Sequence, residues 1–195
     1  MNYLKINLFF LAITWIGGYN ALFSQSKAPI RFAIASDFHA PDVPDGKERV
    51  ETFIKTANDE NVDFIIELGD FCRLDNASQV YRDIWNSFKG EKYHAIGNHD
   101  LDRYSTDEYV KGMSIPHRYY SFDKGNFHFI VLDGNNYFDG KEIRHYDHGN
   151  YGTHPYNKHS YIDKEQMEWL EKDLASTKLK TILLSHQSLD SEIKN

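Results

Sequence analysis

The chain has a single cysteine among its 195 residues, so it cannot form an internal disulfide. Cys72 is therefore expected to be a small buried side chain. Basic residues are fewer than acidic ones: the chain has 22 Lys and Arg and 29 Asp and Glu, which gives a formal net charge of −7. Nucleic-acid-binding proteins usually carry a basic face, so this charge argues against DNA or RNA as a partner.

Long apolar runs are missing as well. The run Ile6–Ile16 is too short to span a bilayer, which takes about 20 residues. Lys5 precedes this run, and small or polar residues follow it through Ser24-Gln25-Ser26. This order predicts a cleavable signal peptide over residues 1–26, and hence a secreted or periplasmic protein without a stable membrane span. Residues 27–195 then form one domain, because no linker interrupts them.

Apolar runs of strand length recur along this domain. Hydrophobic residues make up 41% of the chain and aromatic residues 15%, which is typical of a packed globular protein. The predicted strands are Ile30–Ser36, Asp63–Leu68, Lys92–Ile96, His117–Phe122, Phe127–Leu132 and Thr181–Ser185. The first three alternate with helical segments, which predicts a parallel sheet, whereas the fourth and fifth form a hairpin.

Three helices are predicted from apolar residues at helical spacing. The first two have the stripes Val50, Phe53, Ile54, Ala57 and Val80, Tyr81, Ile84, Trp85, Phe88. The third begins at Asp163, with Gln166 completing a capping box, and is expected to bury Met167, Leu170 and Leu174. Residues 134–161 form a long polar segment, and loops of this length are usually functional or mobile.

Polar motifs follow directly on four of the predicted strands. They are Asp37-Phe38-His39, Gly69-Asp70, Gly97-Asn98-His99-Asp100 and His186. Because strand ends in an open parallel sheet point to one edge, we expect these residues to meet in space. Carboxylates, imidazoles and amide oxygens are the donors that a divalent metal ion needs. The sequence therefore predicts a metal site at this edge.

The metal-ligating residues have different predicted tasks. Asp37 and His39 bind one ion together, because residues i and i+2 of a strand point to the same side. Asp70 bridges two ions through its two oxygens, and Asn98 offers a neutral oxygen to the second ion. The two ions are expected to lie about 3.5–4 Å apart.

His99 and Asp100 are the predicted catalytic residues. His99 is placed to protonate the leaving oxygen, and Asp100 orients this imidazole and raises its pKa. A water bridging the two metal ions would ionise near neutral pH and attack phosphorus in line. This chemistry predicts hydrolysis of a small phosphorylated substrate without a covalent intermediate.

Taken in this order, the motifs resemble those of the calcineurin-like metallophosphoesterases, over residues 30–189. The resemblance implies an α/β fold, a calcineurin-like α/β/β/α sandwich with mixed sheets, and a centre of two divalent metal ions (Mn, Fe or Zn). It implies these roles: Asp37 and His39 as ligands of the first metal, Asp70 as the bridge, Asn98 and His186 as ligands of the second metal, and His99 as the acid.

Single residues and short segments of the sequence resemble one branch of this family. Arg73 stands where purple acid phosphatases have a metal-binding tyrosine, and Asp100 stands where protein Ser/Thr phosphatases usually have glutamate. The segments Tyr119–Phe122 and Phe129–Asp133 are similar to the small phosphodiesterases and nucleotide pyrophosphatases. The substrate is therefore expected to be a phosphodiester, a nucleotide pyrophosphate or a phosphomonoester.

The family's last motif, Gly-His-x-His, is absent, since only Gln187–Asn195 follow His186. We expect the chain to be a fragment that is incomplete at its C-terminal end. Two other functions stay open. A non-catalytic metal- or phosphate-binding module is favoured by the missing motif. A metallohydrolase of carboxylic esters or amides is disfavoured, because Asn98-His99-Asp100 has no evident role there.

The chain has further histidines outside these motifs. The long polar segment contains His145, His148, His154 and His159. Their spacing matches no zinc pattern, so substrate contacts by Tyr151 and His154 are favoured over a second metal site. The strand residues His94, His117 and His128 are expected to be structural.

Overall fold

The computed structural model describes residues 29–150 and 160–188 of the chain. The predicted signal peptide, Tyr151, His154 and His159 lie outside the described residues. The elements are β1 (Phe32–Ala35), α1 (Gly46–Asp59), β2 (Phe64–Glu67), α2 (Gln79–Asn86), β3 (Glu91–His94), α3 (Thr106–Met113), β4 (Tyr120–Lys124), β5 (Phe127–Leu132), β6 (Asn136–Phe138), β7 (Ile143–His145), α4 (Lys164–Ser176) and β8 (Lys180–Ser185). None of these helices is both long enough and apolar enough to cross a membrane.

The first sheet contains β1, β2 and β3, all parallel and in that order. Its outer face packs against α1 and α2, with Trp85 of α2 only 2% exposed. α1 buries Val50, Ile54 and Ala57, which lie on one side of a helix because of their spacing. The predicted alternation of strands and helices, with a parallel sheet, is confirmed.

The second sheet is mixed. β4 and β5 form the predicted antiparallel hairpin, and β8 pairs with β5 in parallel. Phe129 of β5 packs edge-on against Phe64 of β2 with ring centroids 5.2 Å apart, so the sheets share one aromatic core. On the opposite face, Ser121 and His128 are bonded to Asp173 of α4. The predicted α/β/β/α sandwich is therefore confirmed.

The sequence did not predict α3 or the hairpin of β6 and β7. Both strands of this hairpin lie inside residues 134–161, for which the sequence predicts a long polar loop, and each has three residues. α3 has eight residues and is largely polar. Strands of three residues are too short to show a periodic hydrophobic pattern, and α3, although as long as α2, has only three apolar side chains, Tyr109, Val110 and Met113.

The predicted buried face of α4 is wrong. Met167 is 40% exposed and Leu174 is 41% exposed, whereas Gln166 is fully buried. The Gln166 side chain accepts a hydrogen bond from the Asp133 amide and donates one to the Asp133 carbonyl, both at 2.8 Å. Asp163 caps the helix as predicted, but Gln166 points to Asp133 and does not complete a capping box.

Candidate metal centre

The loops after β1 and β2 run side by side. The backbone amide of Asp37 donates to the Gly69 carbonyl at 3.1 Å, and the amide of His39 donates to the Asp70 carbonyl at 2.9 Å. These bonds continue the pairing of the strands past their ends. They place the two motifs next to each other, as the parallel sheet predicted.

Three candidate ligands have a left-handed backbone. The φ angles of Asp37, His39 and Asp70 are 58°, 47° and 59°, values that residues other than glycine rarely adopt. The sequence predicted that Asp37 and His39 point to the same side because they are residues i and i+2 of a strand. This explanation is corrected, because β1 ends at Ala35 and the left-handed turn after it brings the two side chains together. His39 Nε2 lies 3.5 Å from Asp37 Oδ1. Strained backbone of this kind concentrates at functional sites.

Asp70 lies at the centre of the group and is 4% exposed. Its Oδ2 is 3.4 Å from His186 Nε2 and 3.6 Å from His39 Nε2. Its Oδ1 accepts a hydrogen bond from the His99 amide at 2.8 Å. Burial raises the pKa of Asp70, but the hydrogen bonds and charges of His186 and His99 outweigh burial and lower this pKa. The carboxylate therefore keeps its charge between two imidazoles.

His186 reaches the same point from the end of β8. Its Nδ1 lies 3.0 Å from the Leu68 carbonyl, which can only accept, so Nδ1 carries a hydrogen. Its Nε2 faces Asn98 Oδ1 at 3.2 Å and Asp70 Oδ2 at 3.4 Å. A hydrogen bond from one ring nitrogen to a backbone carbonyl is usual for metal-ligating histidines, because it orients the other nitrogen.

The donor set fits divalent metal ions. Ligand atoms of Asp37, Asp70 and His186 all lie within 4.8 Å of one another, and they come from three different strand ends. His39 and Asn98 add an imidazole and an amide oxygen beside them. Mixed oxygen and nitrogen donors suit Mn, Fe or Zn.

A family model, that of the calcineurin-like phosphoesterases, matches residues 30–194 of the chain. The chain belongs to this family. It is 27% identical over 138 residues to a manganese-dependent ADP-ribose/CDP-alcohol diphosphatase of Arabidopsis thaliana, covering 57% of this chain and 44% of that protein. The chain thus spans less than half the length of this curated relative.

A solved structure supports the same fold for this chain. The crystal structure of a dimetal phosphatase from Danio rerio superposes with a TM-score of 0.63 at 15% sequence identity. The match covers 80% of this chain and 69% of that chain. At this level of identity the likeness concerns the fold alone.

One predicted contact at the candidate centre is corrected, because Asp102 and not Asp100 pairs with the ring of His99. His99 Nδ1 lies 3.0 Å from Asp102 Oδ2, one helical turn later. The i, i+3 spacing in a turn was the signal in the sequence for this pair. Asp100 points inward and is 4% exposed, and both of its oxygens accept hydrogen bonds from backbone amides.

The buried carboxylate of Asp100 holds the site's loops together. It accepts hydrogen bonds from the amides of Asp70, Gly97 and Phe71 and from the Tyr109 hydroxyl, at 2.8–3.0 Å. Burial and the neighbouring Asp70 charge raise the pKa of Asp100 to about 7. The loops after β2 and β3 are therefore tied to one side chain.

Arg73 is a cation beside these acidic groups. It lines a small cavity together with His39, Asp70 and His99, and its guanidinium pairs with Asp42. A guanidinium presents several donors in a plane that suits phosphate oxygens.

The other described histidines do not form a second metal site. His145 Nε2 lies 2.6 Å from Asp133, and His148 Nδ1 lies 2.5 Å from Asp147. Within the described part of the chain, the only group of three or more metal donors is the one at Asp37. A structural role is confirmed for His128, which lies between two carboxylates.

Proposed function

We propose that this phosphoesterase hydrolyses a phosphodiester or pyrophosphate bond in a small phosphorylated substrate, with divalent metal ions held at the candidate centre. The observation that carries this proposal is the convergence of Asp37, Asp70 and His186 within 4.8 Å from three strand ends. The name of the Arabidopsis relative, an ADP-ribose/CDP-alcohol diphosphatase, supports the diphosphate class of substrate.

The described residues divide into two groups of ligands around Asp70. Asp37 and His39 would hold one ion, and Asn98 and His186 would hold the other. Divalent cations bound there supply Lewis acidity, which activates water and neutralises charge on a phosphoryl group. Manganese is the first metal to test, because the relative is manganese-dependent.

His99 is the proposed acid for the leaving group. Its side chain is 46% exposed, and its ring centroid lies 5.2 Å from that of His39. Because Nδ1 is bonded to Asp102, Nε2 is the nitrogen that would give its proton to the leaving oxygen. Arg73, which lines the same cavity, would contact a second phosphate group.

The proposal is tested by assaying the full chain with and without Mn²⁺. The substrates are bis-(p-nitrophenyl) phosphate, p-nitrophenyl phosphate and ADP-ribose. We expect metal-dependent turnover, with the diester and the diphosphate cleaved faster than the monoester. Folded protein that binds Mn²⁺ but turns over none of them would instead indicate a non-catalytic metal-binding module.

Two variants separate metal binding from proton transfer. Asp70→Asn should abolish most Mn²⁺ binding, because it removes the central charge. His99→Asn should leave Mn²⁺ bound and slow turnover about 10²–10⁴-fold, the usual contribution of a general acid. His117→Asn is the control, since Nδ1 of His117 bonds to the Tyr119 carbonyl, away from the candidate metal centre. The opposite pattern of metal loss would refute the assigned roles.

A further inference from the structure

Asn135 lies behind the candidate metal centre, where the ends of the two sheets meet. It follows the end of β5 by three residues, and it is fully buried. We infer that Asn135 is a positioning residue, which sets the loop carrying Asn98 relative to the loop carrying His186. This inference rests on the proposed function, because it takes Asn98 and His186 as metal ligands.

The side-chain amide of Asn135 joins two strand ends. Its Nδ2 donates to the Ile96 carbonyl at 2.8 Å, two residues before Asn98 in the loop after β3. Its Oδ1 accepts from Gln187 Nε2 at 2.5 Å, directly after His186 at the end of β8. β3 and β8 belong to different sheets, so no backbone ladder connects them. The amide provides a direct link between the two ligand loops.

The amide can take only one orientation. The second hydrogen of Nδ2 is donated to Asp133 Oδ1 at 2.8 Å, and this oxygen also accepts from the Asn135 backbone amide at 3.0 Å. A carboxylate and a carbonyl can only accept, so the NH2 group must face Asp133 and Ile96. The amide oxygen is therefore left facing Gln187.

Asp133 is itself held on several sides. Gln166 of α4 bonds to both its backbone amide and its carbonyl. Its carboxylate contacts His145 at 2.6 Å and Arg118 at 3.1 Å. Burial raises the pKa of Asp133, but His145 and Arg118 lower it below its ordinary value, so the group stays charged. Asn135 therefore bonds to a carboxylate, that of Asp133, whose own position is fixed by several contacts.

Asn136 provides a matched control. It is 1% exposed, and its Nδ2 donates to the Tyr161 carbonyl at 2.8 Å and to the Asp133 carbonyl at 3.4 Å. Neither carbonyl belongs to a ligand loop. Asn135→Ala and Asn136→Ala both remove a buried amide and leave a buried carbonyl unpaired. Each should therefore lower the stability of the fold.

The first measurement is Mn²⁺ affinity by titration calorimetry on the full chain. Loss of residues that orient metal ligands typically weakens metal binding about 10–100-fold. We expect Asn135→Ala to weaken Mn²⁺ binding by about tenfold or more, and Asn136→Ala by about twofold or less. Unchanged affinity in Asn135→Ala, or equal losses in both variants, would overturn the positioning role.

Gln187→Ala tests the same link from its other end, and it decides the question if Asn135→Ala fails to fold. It should also weaken Mn²⁺ binding, because it frees the loop that carries His186.

A second measurement needs no metal. Hydrogen exchange of the Gly97–His99 amides should be faster in Asn135→Ala and Gln187→Ala than in Asn136→Ala. A wild type that binds no Mn²⁺ would contradict the proposed function, whereas unchanged exchange would contradict the positioning role.

Discussion

At the scale of single residues, the candidate metal centre depends on the close approach of two loops, the one after β2 with Asp70 and the one after β3 with Gly97. A Cβ atom placed at Gly97 would lie 2.1 Å from Asp70 Oδ1 and 2.3 Å from the Asp70 amide nitrogen. Only glycine leaves room for this contact. The glycine that precedes Asn98 is therefore required by the position of a neighbouring carboxylate.

Gly97→Ala should displace the Asp70 carboxylate and weaken Mn²⁺ binding by about tenfold or more, the scale seen when a metal ligand loses its support. Titration calorimetry measures this loss. The control is Gly125→Ala in the β4–β5 turn, where φ is +59° and the nearest atom is 3.6 Å away. It should cost about 1–2 kcal/mol of stability and leave Mn²⁺ affinity unchanged. Wild-type affinity in Gly97→Ala would contradict the steric explanation.

At the scale of elements, α3 contacts the candidate metal centre through one hydrogen bond, from Tyr109 to Asp100. Ser105 Oγ accepts from the Glu108 amide at 3.3 Å, and Glu108 Oε2 accepts from the Ser105 amide at 2.7 Å. This capping box starts the helix that carries Tyr109, which is 1% exposed. The Tyr109 hydroxyl donates to Asp100 at 2.8 Å. A short surface helix thus reaches the carboxylate that ties the site's loops.

Ser105→Ala should lower the free energy of unfolding by about 1 kcal/mol, because it leaves an amide of the first helical turn without its cap. Urea denaturation measures the change. Ser176→Ala is the control, since Ser176 lies at the end of α4 and bonds to the Asp173 carbonyl. Its effect should stay within about 0.5 kcal/mol. Equal effects of the two substitutions would rule out the cap as the cause.

The elements differ in how far they could be predicted. Strands such as Phe127–Leu132 were predicted from continuous apolar runs, which a strand buried on both faces requires. α3 was not, although Ser105 and Glu108 have the spacing of a capping box. The face of α4 was predicted wrongly, because the partner of Gln166 lies 33 residues away. Local patterns contain no information about such a partner.

At the scale of the whole molecule, His128 joins the second sheet to α4. Its Nδ1 lies 2.6 Å from Asp123 Oδ1, and its Nε2 lies 2.7 Å from Asp173 Oδ2. Burial lowers the pKa of His128, but the hydrogen bonds and charges of the two carboxylates outweigh burial and raise it above its ordinary value. The imidazolium therefore holds a strand and a helix together.

This ion pair predicts a pH-dependent stability. The folded pKa of His128 lies above the unfolded value of about 6.5, so its contribution is complete below that pH and is lost as the pH rises through the folded pKa. His128→Gln should lower the free energy of unfolding by about 1.5–3 kcal/mol at pH 6 and by less at pH 9. Urea denaturation at both pH values measures this difference.

His117→Gln is the control for this measurement, because Nδ1 of His117 faces a backbone carbonyl and not a carboxylate. It shows what is lost when an imidazole without a carboxylate partner is removed. An effect of His128→Gln that is equal at pH 6 and pH 9 would show that the imidazole contributes packing and not charge.

The amino-acid sequence by itself determined the parallel sheet, the β4–β5 hairpin and which loops carry the candidate metal ligands. Apolar runs fold into buried strands, and strands joined by helices place their ends at one edge. Only the tertiary structure decided which side chains touch. It paired His99 with Asp102, turned Asp100 inward, and linked the loops that carry Asn98 and His186 through Asn135. These contacts depend on left-handed backbone angles and on partners that are distant in the chain, which only the folded molecule brings together.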